Sequence, residues 1–247
     1  MLFFVYNNGY YTDEKRVIMR IQFHGHSCVQ LTHGQHSIII DPFLTGNPIT
    51  TSKPEDIKVD YILLTHGHGD HIGDAVQIAK QNDATIYCMV ELAQYLNWKG
   101  AKTVGFNIGG KVQLPFGYVK MTQAFHSTGI VFNDEQQIIY TGMPAGLIIQ
   151  MGGKTLYHAG DTGLFGDMKL IGELHQPDIS FLPIGDHFTM GPEDALLAAE
   201  WTRAKTVVPI HFDTFPPIKQ DGHAFVKELA KKGIQGKVMQ PGESWEI

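Results

Sequence analysis

The sequence predicts a mixed α/β fold, and three observations carry that expectation. The chain opens with short strand-like runs joined by turns and then alternates strand-like with helix-like segments, the pattern of a sheet covered by helices. The same order returns in the second half, so the two halves echo each other. Histidines and aspartates gather where strand-like runs end. The 247 residues, 43% of them hydrophobic, suffice to bury a full core, as one large domain or two small ones.

Arg20–Phe23, Cys28–Thr32 and Ser37–Ile40 read as short strands, the last two joined by a hairpin turn at His33-Gly34-Gln35. His24 and His26 fall at the first turn. Each alone reads as a structural histidine, and His26 is the better candidate for supporting a ligand or touching substrate. Asp41-Pro42 stops the third strand, because proline has no N–H for the ladder. Asp41 is expected either to cap this turn or to accept the far N–H of a metal-facing histidine.

Asn47–Val59 reads as a surface loop, Tyr61–Leu64 as a buried strand and Gly73–Gln81 as a helix. Ala84–Met89 and Thr103–Phe106 read as strands around a helix at Val90–Trp98. Lys111–Leu114 and Tyr118–Ala124 should pair, as should Gly146–Met151 and Lys154–His158 across Gly152-Gly153. A helix is expected over Gly163–His175, a strand at Ile179–Pro183 and a helix over Pro192–Ala204 that begins with proline. Thr206–Pro209 is a strand and Ala224–Lys232 a helix. Lys237–Gln240 and Ser244–Ile247 are expected to finish the second sheet.

The stretch around which this order is organised is Thr-His-Gly-His-Gly-Asp-His-Ile, Thr65–Ile72. It places His66, His68, Asp70 and His71 within six residues. Imidazole and carboxylate donors suit Zn²⁺ and its first-row neighbours. Gly67 and Gly69 lack a Cβ, which would let the backbone turn tightly and bring alternate side chains together.

Composition sets outer bounds. The net charge of -6 speaks against nonspecific nucleic-acid binding. Cys28 and Cys88 make no disulfide framework and fit a reducing cytoplasm. No apolar run approaches the roughly 20 residues of a membrane helix. Leu2-Phe3-Phe4-Val5 is short and has no preceding basic residue, so it makes a poor signal peptide. Residues 1–18 are expected to be an extension outside a single domain at 19–247.

His66-x-His68-x-Asp70-His71 at a strand end resembles the signature of the metallo-β-lactamase superfamily. The resemblance runs from about Arg20 to Ile247. It includes His24-Gly25-His26-Ser27, Asp41-Pro42-Phe43, Ala124-Phe125-His126-Ser127, His158-Ala159-Gly160-Asp161-Thr162, Pro183–Pro192 and Pro209-Ile210-His211. The chain is most similar to small bacterial metal-dependent hydrolases of the UPF0173-like kind, related to the ascorbate-6-phosphate lactonase.

That resemblance implies an αββα sandwich, with two mixed sheets face to face, helices outside and metals at one edge. It implies two divalent ions, zinc first, with manganese, iron or cobalt also admitted by the donors. His66, His68 and His126 would take one ion, and Asp70, His71 and His211 the other. Asp161 would bridge them; read alone, it would be a helix N-cap. Asp186 and His187 are candidates for substrate binding or proton transfer beside Asp70, and Met190 for a pocket wall.

The implied reaction is hydrolysis of a small ester, lactone or phosphoester by metal-bound hydroxide. A nuclease or phosphodiesterase is the alternative, although the chain has no room for the inserted RNA-binding domain such enzymes carry. A redox or metal-binding protein is the other; its relatives carry glutamate where His68 stands. No arginine–lysine cluster near the motifs would clamp a phosphate. The expected partner is a small molecule, with neither nucleic acid nor membrane, and self-association is left open.

Overall fold

The computed structural model describes residues 18–247. Of the expected extension only Ile18 is included; residues 1–17 lie outside the described residues.

β1 (Met19–Gly25), β2 (Cys28–His33) and β3 (His36–Ile40) form an antiparallel meander. β4 (Tyr61–Leu63), β5 (Thr85–Met89) and β6 (Lys102–Phe106) continue the sheet in parallel from β3. The second sheet repeats the plan. β7 (Lys111–Leu114) and β8 (Gly117–Gln123) are antiparallel, and a separate ribbon of β9 (Ile130–Phe132) and β10 (Gln137–Ile139) follows. β11 (Ala145–Met151) then pairs antiparallel with β8 and with β12 (Lys154–His158). β13 (Ile179–Pro183), β14 (Thr206–Ile210) and β15 (Gln235–Gly236) run parallel beyond β12. β16 (Ser244–Glu246) closes the first sheet against β1.

Burial explains the layers. Every residue of β13 and β14 is buried, as in strands covered on both faces, and this is why they read as unbroken apolar runs. β1 instead turns Met19, Ile21 and Phe23 inward. Ile21, Leu31 and Ile39 of the first sheet share one core with Leu147, Ile149, Phe181 and Val208 of the second. Each such side chain contributes about 1.5–3 kcal/mol by leaving water. Outside the first sheet lie α2 (Ala75–Asn82) and α3 (Val90–Trp98), anchored by Ile78, Leu92 and Leu96. Outside the second lie α4 (Met168–His175), α5 (Pro192–Thr202) and α6 (Gly222–Lys231), packed through Ile171, Ala198 and Leu229. The layer order is helix, sheet, sheet, helix, as expected.

Four local expectations change. The segment after His68 is already a helical turn, α1 (Gly69–Ile72), and Gly73 at φ +40° breaks it from α2. α4 begins at Met168 rather than Gly163, because Gly163 donates its N–H to the Phe125 carbonyl instead of opening a helix. Lys237–Gln240 is not a strand, and β16 joins the first sheet rather than the second. The turn at Pro241-Gly242 carries the chain across, with Gly242 N–H donating to Phe23 O at 2.7 Å. The β9–β10 ribbon lies in a stretch for which the sequence carried no assignment.

Candidate metal centre

The site begins with Asp41, fully buried at the end of β3 with φ +46°. Its Oδ1 accepts the Thr65 N–H at 2.8 Å, and its Oδ2 accepts the Thr65 hydroxyl at 2.7 Å and His71 Nδ1–H at 2.8 Å. The Thr65 hydroxyl, with its proton given to Asp41, accepts His66 Nδ1–H at 3.0 Å. One carboxylate therefore holds the Nδ1 of two histidines, directly for His71 and through Thr65 for His66, and turns the Nε2 of each toward Asp161. Of the two roles expected for Asp41, the histidine acceptor is the one present.

Two groups of donors stand side by side. His66, His68 and His126 bring ligand atoms within 4.8 Å of one another, and His66 Nε2 lies 2.9 Å from His68 Nδ1. Asp70, His71 and His211 form the second group, together with His26. Asp161 joins them: its Oδ2 lies 3.0 Å from His211 Nε2, 3.2 Å from His71 Nε2, 3.5 Å from His126 Nε2 and 4.0 Å from His66 Nε2. Asp161 does not cap a helix, since Asp167 holds the N-cap position of α4.

Backbone bonds between loops hold this arrangement. Phe125 donates its N–H to Thr162 Oγ1 at 3.0 Å, which ties the His126 segment to Asp161. His211 donates its N–H to the His26 carbonyl at 2.8 Å, and Ala145 donates to Thr65 O at 3.0 Å. Gly67 donates to Thr128 Oγ1, which is bonded to Thr141 Oγ1. A Cβ on Gly67 would fall 2.7 Å from Thr141 Cβ, so this glycine is required by space. Gly69 would meet nothing within 4 Å, so only one of the two interleaved glycines is needed for close approach.

The electrostatics suit a cation. Burial and neighbouring imidazoles push His66 well down, and burial first among several causes lowers His68 and His126, so these three offer neutral nitrogen. Burial lowers His26 to about 4, with His211 adding to it. Burial also opposes charge on His71, but Asp161 and Asp41 outweigh it and push that imidazole up. Burial raises Asp161, yet His211 and His71 prevail and hold its carboxyl well below the usual range. Three buried polar atoms of this cluster, Asp161 Oδ1, His71 Nε2 and His211 Nδ1, have no hydrogen-bond partner. Buried groups are rarely left so without cause, and nitrogen and carboxylate donors converging on one space fit a divalent ion.

All seven residues expected as ligands thus meet. Asp186 and His187 do not join them. Both are exposed on the loop after β13, where Asp186 N–H donates to Met190 O and the His187 ring lies edge-on to Phe188. Met190 is no pocket wall; it is 1% exposed in the core beneath α5, drawn in by its N–H bond to Thr162 O. His24 is structural, held by Ser52 Oγ and Gln30 Oε1. Sequence reading missed Thr65, Thr128, Thr141 and Thr162. Thr65, adjacent to His66, and Thr162, adjacent to Asp161, had a positional signal; Thr128 and Thr141 had none.

A model of the β-lactamase superfamily domain matches residues 36–212, most of the chain. The chain belongs to the β-lactamase superfamily. A UPF0173 metal-dependent hydrolase of Geobacillus thermodenitrificans is 59% identical over 229 residues, 93% of this chain and 100% of the relative. The UPF0173 metal-dependent hydrolase YtkL of Bacillus subtilis is 57% identical over the same shares of both. Among solved structures, Igni18, a metallo hydrolase of Ignicoccus hospitalis, aligns with a TM-score of 0.85 at 38% identity, covering 93% of this chain and 98% of that one. An isothiocyanate hydrolase from Delia radicum gut bacteria shares the fold, with a TM-score of 0.71 at 21% identity and coverage of 92% and 98%. These neighbours share the αββα sandwich. Among the described residues no helix is long and apolar enough to cross a membrane.

Proposed function

We propose that this protein is a metal-dependent hydrolase of small esters, lactones or phosphoesters, working in the cytoplasm with two divalent cations. The observation that carries the reading is Asp161 Oδ2, buried and within 4.0 Å of four histidine nitrogens that belong to two adjoining donor groups. His66, His68 and His126 would hold one cation and Asp70, His71 and His211 the other, with Asp161 shared. The names of the relatives support hydrolysis over the redox and nuclease readings.

When bound, two such cations supply Lewis acidity and a water of lowered pKa. The rest is done by the chain. Asp41 and Thr65 hold the Nδ1 atoms of His66 and His71 and aim each Nε2 at the site; His66 offers a neutral nitrogen, and His71 would give up its Nε2 proton when a cation binds. Asp161 supplies negative charge where two cations would otherwise repel. The Asp70 side chain, 33% exposed, is the carboxylate of the cluster open to solvent, and its oxygen is where a proton from the attacking water can be received. Asp186 and His187 take no part in this proposal.

The test is to load metal-free protein with zinc or manganese, count bound ions by elemental analysis and screen lactones, phosphodiesters and acyl amides. We expect two ions per chain and hydrolysis that disappears with a chelator. Two bound ions without hydrolysis of any class would favour the redox or metal-binding reading; a limit of one ion would remove the second site.

A further inference from the structure

His26 lies outside the set of ligands expected from the motifs, yet it touches that set in three ways. Its Nε2 is 3.2 Å from Asp70 Oδ2. Its carbonyl accepts the His211 N–H at 2.8 Å. Its ring lies against that of His211, with centroids 4.1 Å apart at 44°. The side chain is completely buried, and Thr214 Oγ1 stands 2.9 Å from Nδ1. Phe43 and Phe215 pack edge-on against the ring from two sides, each with centroids 5.7 Å away.

The proton positions follow from the partners. A carboxylate can only accept, so the proton sits on Nε2 and is donated to Asp70. Nδ1 is then the acceptor and takes the Thr214 hydroxyl proton. The chain of bonds runs from the loop after β14 through His26 into α1. Both His26 and His211 have left-handed backbones, with φ +58° and +53°. Such conformations are unfavourable for residues other than glycine and persist only where the surroundings hold them. Here two adjoining ones are locked by a shared backbone hydrogen bond.

We propose that His26 is the positioning residue of the second cation subsite, which sets the orientation of Asp70 through its imidazole and the placement of His211 through its carbonyl and ring. The role rests on the reading of the cluster as a two-cation site. It predicts an asymmetry: losing the imidazole should weaken the subsite of Asp70, His71 and His211 and spare that of His66, His68 and His126. Outer partners of metal ligands are worth about 10–100-fold in affinity.

The experiment is a calorimetric titration of metal-free protein with zinc, comparing wild type, His26→Asn and Thr214→Val. Asparagine tolerates the left-handed backbone but is too short to keep the histidine's contacts, and valine removes only the hydroxyl. We expect the first equivalent to bind both variants as it binds wild type. The second should weaken by about 10–100-fold in His26→Asn and by less in Thr214→Val. The unfolding temperature of metal-free His26→Asn should fall by a few degrees from lost packing, and that of Thr214→Val by less, with both proteins still folded and taking up the first equivalent. A second equivalent that binds His26→Asn as tightly as wild type overturns the role. So does joint loss of both equivalents with a lowered unfolding temperature, which would make His26 a general structural residue. A wild-type protein that takes up only one equivalent overturns the two-cation reading itself, and this role with it.

Discussion

The two halves of the molecule agree at one end and differ at the other. At the end far from the cluster, Asp60 precedes β4 and Asp178 precedes β13. Asp60 donates its N–H to Ser37 O and accepts Ser37 N–H on its carboxylate, while its carbonyl takes Thr85 N–H. Asp178 does the same with Thr155 and Thr206. One aspartate in each half thus clasps the two strands flanking the central one. At the cluster end the echo is lost. The first half delivers His66, His68, Asp70 and His71 from one loop, held by Asp41. The second delivers His126, Asp161 and His211 singly, after three different strands. Strand clasping is a demand of the fold and recurs with it. Donor placement is a demand of chemistry, and here one contiguous loop is completed by three separate residues.

The largest test of that division is Asp161→Asn. If the second half contributes the shared carboxylate, this one change removes the negative charge between two groups of histidines and leaves an amide, a poorer ligand. We expect a folded protein whose affinity for both cations falls by more than about 100-fold, beyond what loss of an outer partner gives. Hydrolysis of any substrate found by screening should fall with it. Metal stoichiometry measured beside circular dichroism reads the result. Wild-type stoichiometry and turnover in the variant would refute the shared role.

Within the first-half loop, the two interleaved glycines separate packing from pattern. Gly67→Ala drives a methyl into the fully buried Thr141, whose hydroxyl belongs to the network that receives the Gly67 N–H. Overpacking of this kind costs about 1–3 kcal/mol. Gly69→Ala enters open space at the start of α1, where alanine restricts the unfolded chain and leaves stability unchanged or raised by up to about 1 kcal/mol. Urea unfolding of the metal-free variants separates the two. Equal destabilisation would mean that both glycines serve the turn itself.

What could be read in advance follows the same division. The Thr65–Ile72 loop was legible because its donors are neighbours in sequence and follow an apolar strand. Asp41 was legible as a residue at a strand end, though only the fold shows that it reaches His66 through Thr65. The start of α4 differs from the expectation because the backbone N–H of Gly163 is engaged with the Phe125 carbonyl, and the helix opens only at Met168. β16 was given to the wrong sheet because its pairing with β1 spans nearly the whole chain. Asp186 and His187 had donor chemistry and a suggestive loop. Whether a loop side chain turns inward depends on tertiary contacts, and here the bond from Met190 to Thr162 buries the methionine instead.

The smallest test compares the two clasps. Asp178 has something Asp60 lacks: Lys205 Nζ lies 2.7 Å from its Oδ1, on a side chain that is 77% exposed. Burial works to raise the Asp178 carboxyl, but the bonds from Lys205 and from Thr155 N–H outweigh it and lower it. Asparagine at either position keeps a carbonyl oxygen for the backbone N–H, so each substitution isolates the charge. A carboxyl depressed in the folded state stabilises above its unfolded value, near 3.9, and loses that contribution as pH falls through the folded value. We therefore expect Asp178→Asn to be less stable than wild type at pH 7 by about 0.5–1 kcal/mol, after allowance for solvent screening. The gap should close below about pH 4 and narrow in high salt. Asp60→Asn should cost less than about 0.5 kcal/mol at pH 7. Urea unfolding of the metal-free proteins at pH 7 and in acid, each variant against wild type at the same pH, cancels the titration of the histidine cluster. A difference for Asp178→Asn that persists unchanged into acid would mean that it does not come from the carboxylate's charge, and the ion pair with Lys205 would not be what separates the two clasps.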